Sequence, residues 1–310
     1  MFIYILLFLL VIIVIFFAIG YDMFRILMLP SKTNSKARKK INDIELSVKD
    51  KLNNSFSGKW FEGVNKEEVY INSADGYKLH ACKIVNKRTT NKWVVMMHGY
   101  FSNLSQLSNY ALEFYQEDYN ILMLDSRACG KSEGKYVGLA YRDKDDLGKW
   151  IEYLNEDKVV KITLFGVSMG ASTILLACSE KKLASVEKII VDSAYSSMAN
   201  ALKVEMKNVY GLPEFLSERL LGIVSFYLKI FVGFKLNDVA PINNANKIDI
   251  PTLVIHCTRD TLVPYEMAEL LFSRLTCDKE LLSIDDANHC EGCWINLERY
   301  WNKIFEFVSK

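Results

Sequence analysis

Residues 161–178 read KITLFGVSMGASTILLAC and combine three structural signals in one short run. Residues 161–165 are apolar and partly β-branched, which predicts a buried strand, and residues 171–178 predict the start of a buried helix. Between them lies Gly166-Val-Ser-Met-Gly170, the G-x-S-x-G pattern of a nucleophile elbow. The sequence therefore predicts that Ser168 sits on a tight turn above a sheet edge, beside the N–H groups of a new helix.

The same five residues could form an ordinary glycine-rich turn that happens to contain a serine. The interpretation therefore depends on the flanking strand and helix, and on partners for the serine elsewhere in the chain.

Length, charge and cysteine count set limits on the class of protein. The chain has 310 residues, enough for one large α/β domain with an appendage. Its 38 basic and 37 acidic residues give a net charge of +1, so composition does not support nucleic-acid binding. Seven cysteines, an odd number scattered along the chain, indicate free thiols in a reducing compartment.

The N-terminus is strongly apolar. Residues 2–19 contain no charge and no proline, and with Gly20 and Tyr21 they are long enough for a transmembrane helix, so residues 1–21 are predicted as an anchor. A cleaved signal peptide is the alternative, because Ala18-Ile19-Gly20 weakly resembles a cleavage site. The chain lacks the basic segment that normally precedes a signal peptide's apolar run.

A basic segment follows the apolar run and is opposed only by Asp22; it comprises Arg25, Lys32, Lys36, Arg38, Lys39 and Lys40. The positive-inside rule places this flank, and the domain behind it, in the cytoplasm. The basic side chains could also contact anionic headgroups or simply be solvated. Residues 22–59 are predicted as a juxtamembrane linker with some helix over 41–52, and residues 60–310 as the globular domain.

Apolar strands alternate with helix-length segments in the globular domain. The pattern predicts a hairpin of two strands followed by six strands of a mostly parallel sheet covered by helices on both faces: 68–71, 77–84, 93–97, 121–124, 162–165, 189–191, 252–255 and 281–284. No strand is predicted over 194–247, which is interpreted as an inserted helical cap. Residues 220–234 are nearly all apolar, as in a buried helix pair or in a lid that lines an acyl pocket or touches the bilayer.

A serine nucleophile requires a histidine base and a carboxylate that orients it. His80 lies in the hairpin, His98 ends a strand and His256 lies within one, whereas His289 alone follows the last strand. Asp260 lies in the loop after the strand over 252–257. The order Ser168, Asp260, His289 is that of an α/β-hydrolase triad. Asp192, at the end of the preceding strand, is the alternative acid.

Two backbone N–H groups are expected to form an oxyanion hole. One is that of Met169, directly after the nucleophile, and the other is that of Tyr100 in the loop His98-Gly99-Tyr100. His98 is interpreted as a residue that braces this loop, and Asp125 and Arg127 as residues that brace the turn after their strand.

Two groups of residues could suggest a metal site. Cys290-Glu-Gly-Cys293 has C-x-x-C spacing, but no second such pair exists, so the spacing is interpreted as coincidental. Asp143, Asp145 and Asp146 are interpreted as acidic residues that favour a helix N-terminus. No metal and no organic cofactor are expected.

From about residue 68 to the C-terminus the chain resembles α/β-hydrolase fold serine hydrolases. The resemblance rests on five segments: His98-Gly-Tyr100, Asp125-Ser-Arg-Ala-Cys-Gly-Lys-Ser132, Gly166-Val-Ser-Met-Gly170, Pro251-Thr-Leu-Val-Ile-His-Cys-Thr-Arg-Asp260 and Ala287-Asn-His289. Within that superfamily it is most similar to bacterial membrane-anchored hydrolases of the serine aminopeptidase or Bem46-like kind. The resemblance implies hydrolysis of an ester, thioester or amide through an acyl-enzyme.

We therefore expect a membrane-anchored serine hydrolase that cleaves an acyl ester or thioester. One alternative is an aminopeptidase-like enzyme, which would need a cap carboxylate for the substrate amine; the candidates are Glu205, Glu214 and Glu218. Another is a binding module that keeps the fold and has no catalytic activity. The sequence does not indicate an oligomeric state.

Overall fold

A computed structural model describes residues 2–29, 55–156 and 159–310 of the chain. Most of the predicted linker, the helix expected over 41–52 and the basic residues from Lys32 to Lys40 lie outside the described residues.

Eight strands form one sheet: β1 (Glu67–Asn72), β2 (Lys78–Ile84), β3 (Lys92–Met97), β4 (Asn120–Leu124), β5 (Lys161–Val167), β6 (Val186–Asp192), β7 (Thr252–Cys257) and β8 (Lys279–Ile284). Their order is β1-β2-β4-β3-β5-β6-β7-β8. The hairpin strand β2 pairs antiparallel with β1 and β4, and the other neighbours pair in parallel. All eight predicted strands are confirmed, with ends that differ by up to three residues.

Helices cover both faces of this sheet, as predicted. Besides two helices in the cap, the domain contains α2 (Phe56–Gly63), α3 (Ser108–Gln116), α4 (Asp143–Asn155), α5 (Met169–Glu180), α8 (Tyr265–Arg274), α9 (Gly292–Ile295) and α10 (Leu297–Ser309). One apolar core joins the sheet to α4, α5 and α8, and includes Trp150 and Ile174. A second core on the opposite face joins it to α3 and α10, and includes Phe114 and Trp301. The sheet is therefore buried on both sides, which explains why its strands are continuously apolar.

The segment between β6 and β7, which the structure describes throughout, contains no strand. It consists of α6 (Met198–Tyr210), α7 (Glu214–Phe231) and three 3-10 turns at Leu236–Asp238, Pro241–Asn243 and Ala245–Lys247. Gly211 adopts the left-handed conformation with φ +64° at the end of α6, a common way to terminate a helix. The segment 194–247, which was predicted as a helical cap, thus consists mainly of two helices and three 3-10 turns.

The N-terminal helix α1 (Phe2–Met28) is longer than the predicted anchor. Residues 22–28 were expected in a linker but continue the helix, because residues 21–29 contain no glycine or proline and because Phe24 and Met28 become buried. Among the described residues, α1 is the one helix long and apolar enough to cross a bilayer.

Helix α1 packs along α7 in a parallel direction. Phe17 contacts Phe226, Tyr21 contacts Tyr227 and Phe24 contacts Phe231, so the contacts advance together along both helices. A Cβ on Gly20 would come within 2.4 Å of Ile223 Cγ2, which shows how closely the two helices approach. The anchor segment and the cap therefore form one packed unit.

Candidate active site

Ser168 lies at the turn between β5 and α5, with φ +54° and ψ −114°. A Cβ on Gly166 would lie 2.6 Å from Ala171 N, and a Cβ on Gly170 would lie 2.3 Å from Met97 O. No real side chain fits at those distances, so both positions require glycine. The strand, turn and helix predicted from residues 161–178 are confirmed, and the positive φ of a non-glycine residue marks local strain at Ser168.

A continuous chain of hydrogen bonds joins the three predicted triad residues. Ser168 Oγ lies 2.8 Å from His289 Nε2, and His289 Nδ1 lies 2.6 Å from Asp260 Oδ2. Because the Asp260 carboxylate is an acceptor, His289 carries its proton on Nδ1 and leaves Nε2 free to accept the Ser168 hydroxyl. The arrangement can therefore withdraw a proton from the serine oxygen.

Backbone groups fix the orientation of Asp260. Its Oδ1 accepts hydrogen bonds from the N–H groups of Leu262 at 2.9 Å and Val263 at 2.8 Å. Its side chain is fully buried, so the carboxylate has few other positions available. Oδ2 is thereby directed toward His289.

His256 also holds the loop that contains Asp260 and Val263, a role that the sequence did not indicate. Its ring is fully buried, Nε2 donates to Val263 O at 2.8 Å, and Nε2 lies 3.5 Å from Asp260 Oδ2. Burial lowers the pKa of His256, which favours the neutral ring. His256 is thus a positioning residue for the Asp260 loop.

Asp192, the alternative acid, is held by other partners. Its Oδ2 accepts a hydrogen bond from the Tyr300 hydroxyl at 2.7 Å, and its Oδ1 accepts one from Ser193 Oγ at 2.9 Å. Burial is the main cause that raises the pKa of Asp192. The carboxylate that orients His289 in this structure is that of Asp260.

The loop after β3 is held by His98, as predicted. His98 Nδ1 donates to Gly99 O at 2.7 Å, and Nε2 accepts from the Ser126 N–H at 3.0 Å. Burial lowers the pKa of His98, in agreement with the neutral ring that these two bonds require. Tyr100 follows in this loop, and Tyr100 and Met169 line the same cavity as Ser168.

The other polar residues discussed above have structural partners. His80 Nδ1 lies 2.7 Å from Asp125 Oδ2, and Asp125 also accepts from the Leu104 and Lys131 N–H groups, both at 2.9 Å. Arg127 forms ion pairs with Asp146 and, at 2.6 Å, with Asp75.

The acidic residues near the start of α4 also have partners. Asp143 accepts the Ala140 N–H at 2.9 Å, and Asp145 lies 3.0 Å from Lys181 Nζ. Within the described ranges, no group of three or more His, Cys, Asp or Glu residues is arranged to hold a metal.

Ser168 and His289 face a cavity of about 340 Å³. Most of its wall is apolar, contributed by Leu27, Leu107, Val167, Met198, Leu202, Leu262 and Trp294 among others. Leu27 belongs to α1, so the N-terminal helix forms part of the wall. Nothing in the sequence pattern predicted that contact, since residue 27 lies 141 positions from Ser168 and in a segment expected to be a linker.

Comparison with known proteins supports the fold and the general class of activity. Residues 88–224 match the family model described as serine aminopeptidase, S33. The structure is similar to that of the esterase Pf2001 from Pyrococcus furiosus, with a TM-score of 0.65, 27% identity, and coverage of 79% of this chain and 92% of that chain. The chain has the α/β-hydrolase fold. The fold and these matches together support its assignment as a hydrolase.

Other relatives of this hydrolase extend the similarity. YqkD of Bacillus subtilis, an uncharacterised protein, is 28% identical over 251 residues, which cover 80% of this chain and 81% of YqkD. YfhR of Salmonella typhimurium, also uncharacterised, is 26% identical over 269 residues, with 78% and 81% covered. An esterase from Exiguobacterium antarcticum shares the fold at 19% identity, with a TM-score of 0.59 and coverage of 79% of this chain and all of that chain.

One of the three cap carboxylates reaches the cavity of this hydrolase. Glu205 lines it from α6. Glu218 instead pairs with Lys203 at 2.7 Å on the surface, and Glu214 is exposed at the start of α7. Glu205 is therefore the one candidate of the three that can meet a bound substrate.

Of the three cysteines near the site, Cys257 and Cys293 are buried and Cys290 is half-buried. Cys293 Sγ donates to the Tyr110 hydroxyl at 3.2 Å, and all seven cysteines are free. Burial raises the pKa of Cys257 to about 12 and raises those of Cys290 and Cys293 as well. These thiols are therefore protonated at neutral pH and poorly suited to act as nucleophiles or ligands.

Proposed function

We propose that this hydrolase is a serine esterase or thioesterase that α1 holds in a membrane. The observation that carries the proposal is the unbroken hydrogen-bond chain from Ser168 Oγ through His289 to Asp260. A binding module without catalytic activity would have no need for that arrangement beside an apolar cavity.

The proposed reaction proceeds in two steps. Ser168 Oγ attacks the acyl carbonyl while His289 Nε2 takes its proton, and the same proton then passes to the departing alcohol or thiol. This leaves the acyl group bound to Ser168. A water molecule next gives a proton to His289 and attacks the acyl carbonyl, which releases the acid and restores the serine hydroxyl. Asp260 stabilises the positively charged imidazolium in both steps.

Two backbone donors are proposed to stabilise the tetrahedral oxyanion. The Met169 N–H belongs to the first turn of α5, where a helix supplies no internal partner for its N–H groups. The Tyr100 N–H is the second proposed donor, from the loop that His98 braces. Neither donor needs a metal or a cofactor.

The membrane assignment rests on α1. Its N-terminal part is exposed and apolar over residues 2–15, a surface that suits lipid better than water. Cleavage of a signal peptide after Gly20 would remove Phe17 and Gly20 from their contacts with α7, which favours an anchor that stays attached. The basic residues that follow the apolar run support the proposal that the hydrolase domain lies on the cytoplasmic side.

Ester hydrolysis by the full chain tests the proposal. We expect turnover of p-nitrophenyl esters with acyl chains of two to sixteen carbons, and a loss of about 10⁵-fold or more in kcat for Ser168→Ala. Ser179 lies in the same helix and its hydroxyl donates to Leu176 O at 2.9 Å, so Ser179→Ala is the matched control and should retain activity. Equal activity in the Ser168→Ala variant would contradict the proposed nucleophile.

An aminopeptidase-like activity is the second candidate, and Glu205 in the cavity wall is the observation that favours it. A carboxylate at that position could pair with the free amine of a peptide substrate. In that case Glu205→Gln would lower kcat/KM for an aminoacyl p-nitroanilide at least about tenfold more than for an uncharged acyl ester. An equal effect on both substrates, or no turnover of the anilide, would reject this candidate.

A further inference from the structure

The C-terminal end of α1 is built into the wall of the cavity. Leu27 lines the cavity that contains Ser168, and the Tyr100 hydroxyl donates to Leu27 O at 2.5 Å. The Val137 N–H donates to Met28 O at 3.0 Å, and Phe24 and Met28 are both buried. The helix that meets the membrane is therefore joined directly to the loop that carries a proposed oxyanion donor.

Helix geometry limits how far the cavity lies from the lipid. The apolar run ends near Tyr21, and Leu27 follows six residues later, which corresponds to about 9 Å along a helix. The headgroup layer on each side of the hydrocarbon core is about 5–8 Å thick. This distance slightly exceeds the thickness of that layer, so the wall formed by Leu27 lies at the outer edge of the headgroups.

The cap adds apolar surface beside the same stretch of α1. Phe215, Phe226, Ile230 and Phe231 on α7 are 69%, 49%, 58% and 47% exposed, an unusual number of large apolar side chains for one helix in water. Phe226 and Phe231 also contact α1 through Phe17 and Phe24. Apolar and aromatic side chains beside a membrane helix are typical of a segment that lies in the interface.

We propose that the substrate is an acyl ester dissolved in the bilayer, which this enzyme hydrolyses at the membrane surface. This inference rests on the proposed Ser168 esterase and adds its substrate class. The acyl chain enters the apolar cavity against Leu27, while the ester group meets Ser168. Water is the second reactant, and the products are a fatty acid and the departing alcohol, or a thiol where the substrate is a thioester.

The test uses the full chain reconstituted in vesicles of dioleoylphosphatidylcholine. Two probes are compared in the same vesicles: p-nitrophenyl dodecanoate, which partitions into the bilayer, and p-nitrophenyl acetate, which stays largely in water. We expect kcat/KM for the dodecanoate to exceed that for the acetate at least tenfold. The larger side chain of Leu27→Trp fills part of the cavity, so we expect it to lower the ratio of the two kcat/KM values at least tenfold.

Two further variants make the result specific to the cavity wall. Leu27→Ala widens the same wall and should move the preferred ester toward longer chains, the opposite direction from Leu27→Trp. Leu7→Trp changes an exposed residue of the same helix and should leave the ratio unchanged. Labelling of each variant by a fluorophosphonate probe reports whether its active site is folded.

The possible failures have different meanings. If the acetate is hydrolysed through Ser168 but is preferred over the dodecanoate, or if both Leu27 variants keep the parent ratio, the bilayer substrate is wrong and the esterase stands. If neither ester is hydrolysed and Ser168 is not labelled, or if turnover persists in Ser168→Ala, the proposed function itself fails.

Discussion

The turn around Ser168 and the unit formed by α1 and the cap are shaped by different kinds of contact. At the turn, backbone atoms lie within 2.3–2.6 Å of the Cβ positions of Gly166 and Gly170, so no residue other than glycine fits there. In the cap, a Cβ on Gly222 would meet no atom within 4 Å apart from its chain neighbours and the backbone of its own helix, and several large side chains are exposed. The chemistry of the site is therefore set by local backbone geometry, whereas its specificity depends on packing between distant segments.

The largest expected effect is the difference in kcat between variants of the two candidate acids, Asp260 and Asp192. Asp260→Asn should lower kcat about 10⁴-fold, because the amide no longer holds the proton of His289 on Nδ1. Asp192→Asn should cost much less, since that carboxylate bonds Tyr300 and Ser193 and does not touch His289. Steady-state ester kinetics of the two variants provide the measurement. A larger loss for Asp192→Asn would mean that Asp192, and not Asp260, orients His289, which contradicts the account.

Two glycine substitutions compare the turn and the cap directly through stability. Gly170→Ala should destabilise the fold by about 3 kcal/mol, because its Cβ would collide with Met97 O. Gly222→Ala should stabilise α7 by about 0.5–1 kcal/mol, because alanine favours a helix and space is available. Thermal unfolding of both variants of the full chain in one detergent gives the comparison. Equal changes in stability for the two variants would contradict the view that backbone contacts restrict the turn more tightly than the cap.

The sequence predicted the sheet and the chemical groups well, for identifiable reasons. Short apolar strands, a G-x-S-x-G turn, and an aspartate and a histidine in loops after later strands are local patterns, and the carboxyl ends of parallel strands meet at one sheet edge. That is why Ser168, Asp260 and His289 could be named from the sequence. Their hydrogen-bonded geometry supports the catalytic roles, which remain predictions.

Features that depend on contacts between distant segments could not be predicted. The continuation of α1 to Met28 and the place of Leu27 in the cavity depend on packing against the cap and the loop of Tyr100. His256 was interpreted only as a strand residue, because its contact with Asp260 requires the loop to fold back. The partners of Asp192 could be identified only once α10 had placed Tyr300 beside it.

Thiol reactivity tests how tightly the region behind the triad is packed. Burial raises the pKa of Cys257 to about 12 and also raises those of Cys290 and Cys293, so few thiolates exist at pH 7.5. Iodoacetamide should label the two buried thiols, Cys257 and Cys293, at least about 100-fold more slowly in the native chain than in urea. Peptide mapping over time measures the rates. Rapid native labelling of Cys257 or Cys293 would mean that the region behind the triad is open to solvent.

The most direct measurement is the covalent reaction of the full chain with a fluorophosphonate probe, followed by peptide mapping. We predict one adduct, on Ser168, that is absent from Ser168→Ala and forms more slowly in Asp260→Asn. That result would establish an activated serine at the end of the hydrogen-bond chain. An adduct on another residue, or no adduct on a chain shown by thermal unfolding to be folded, would contradict the central role of Ser168.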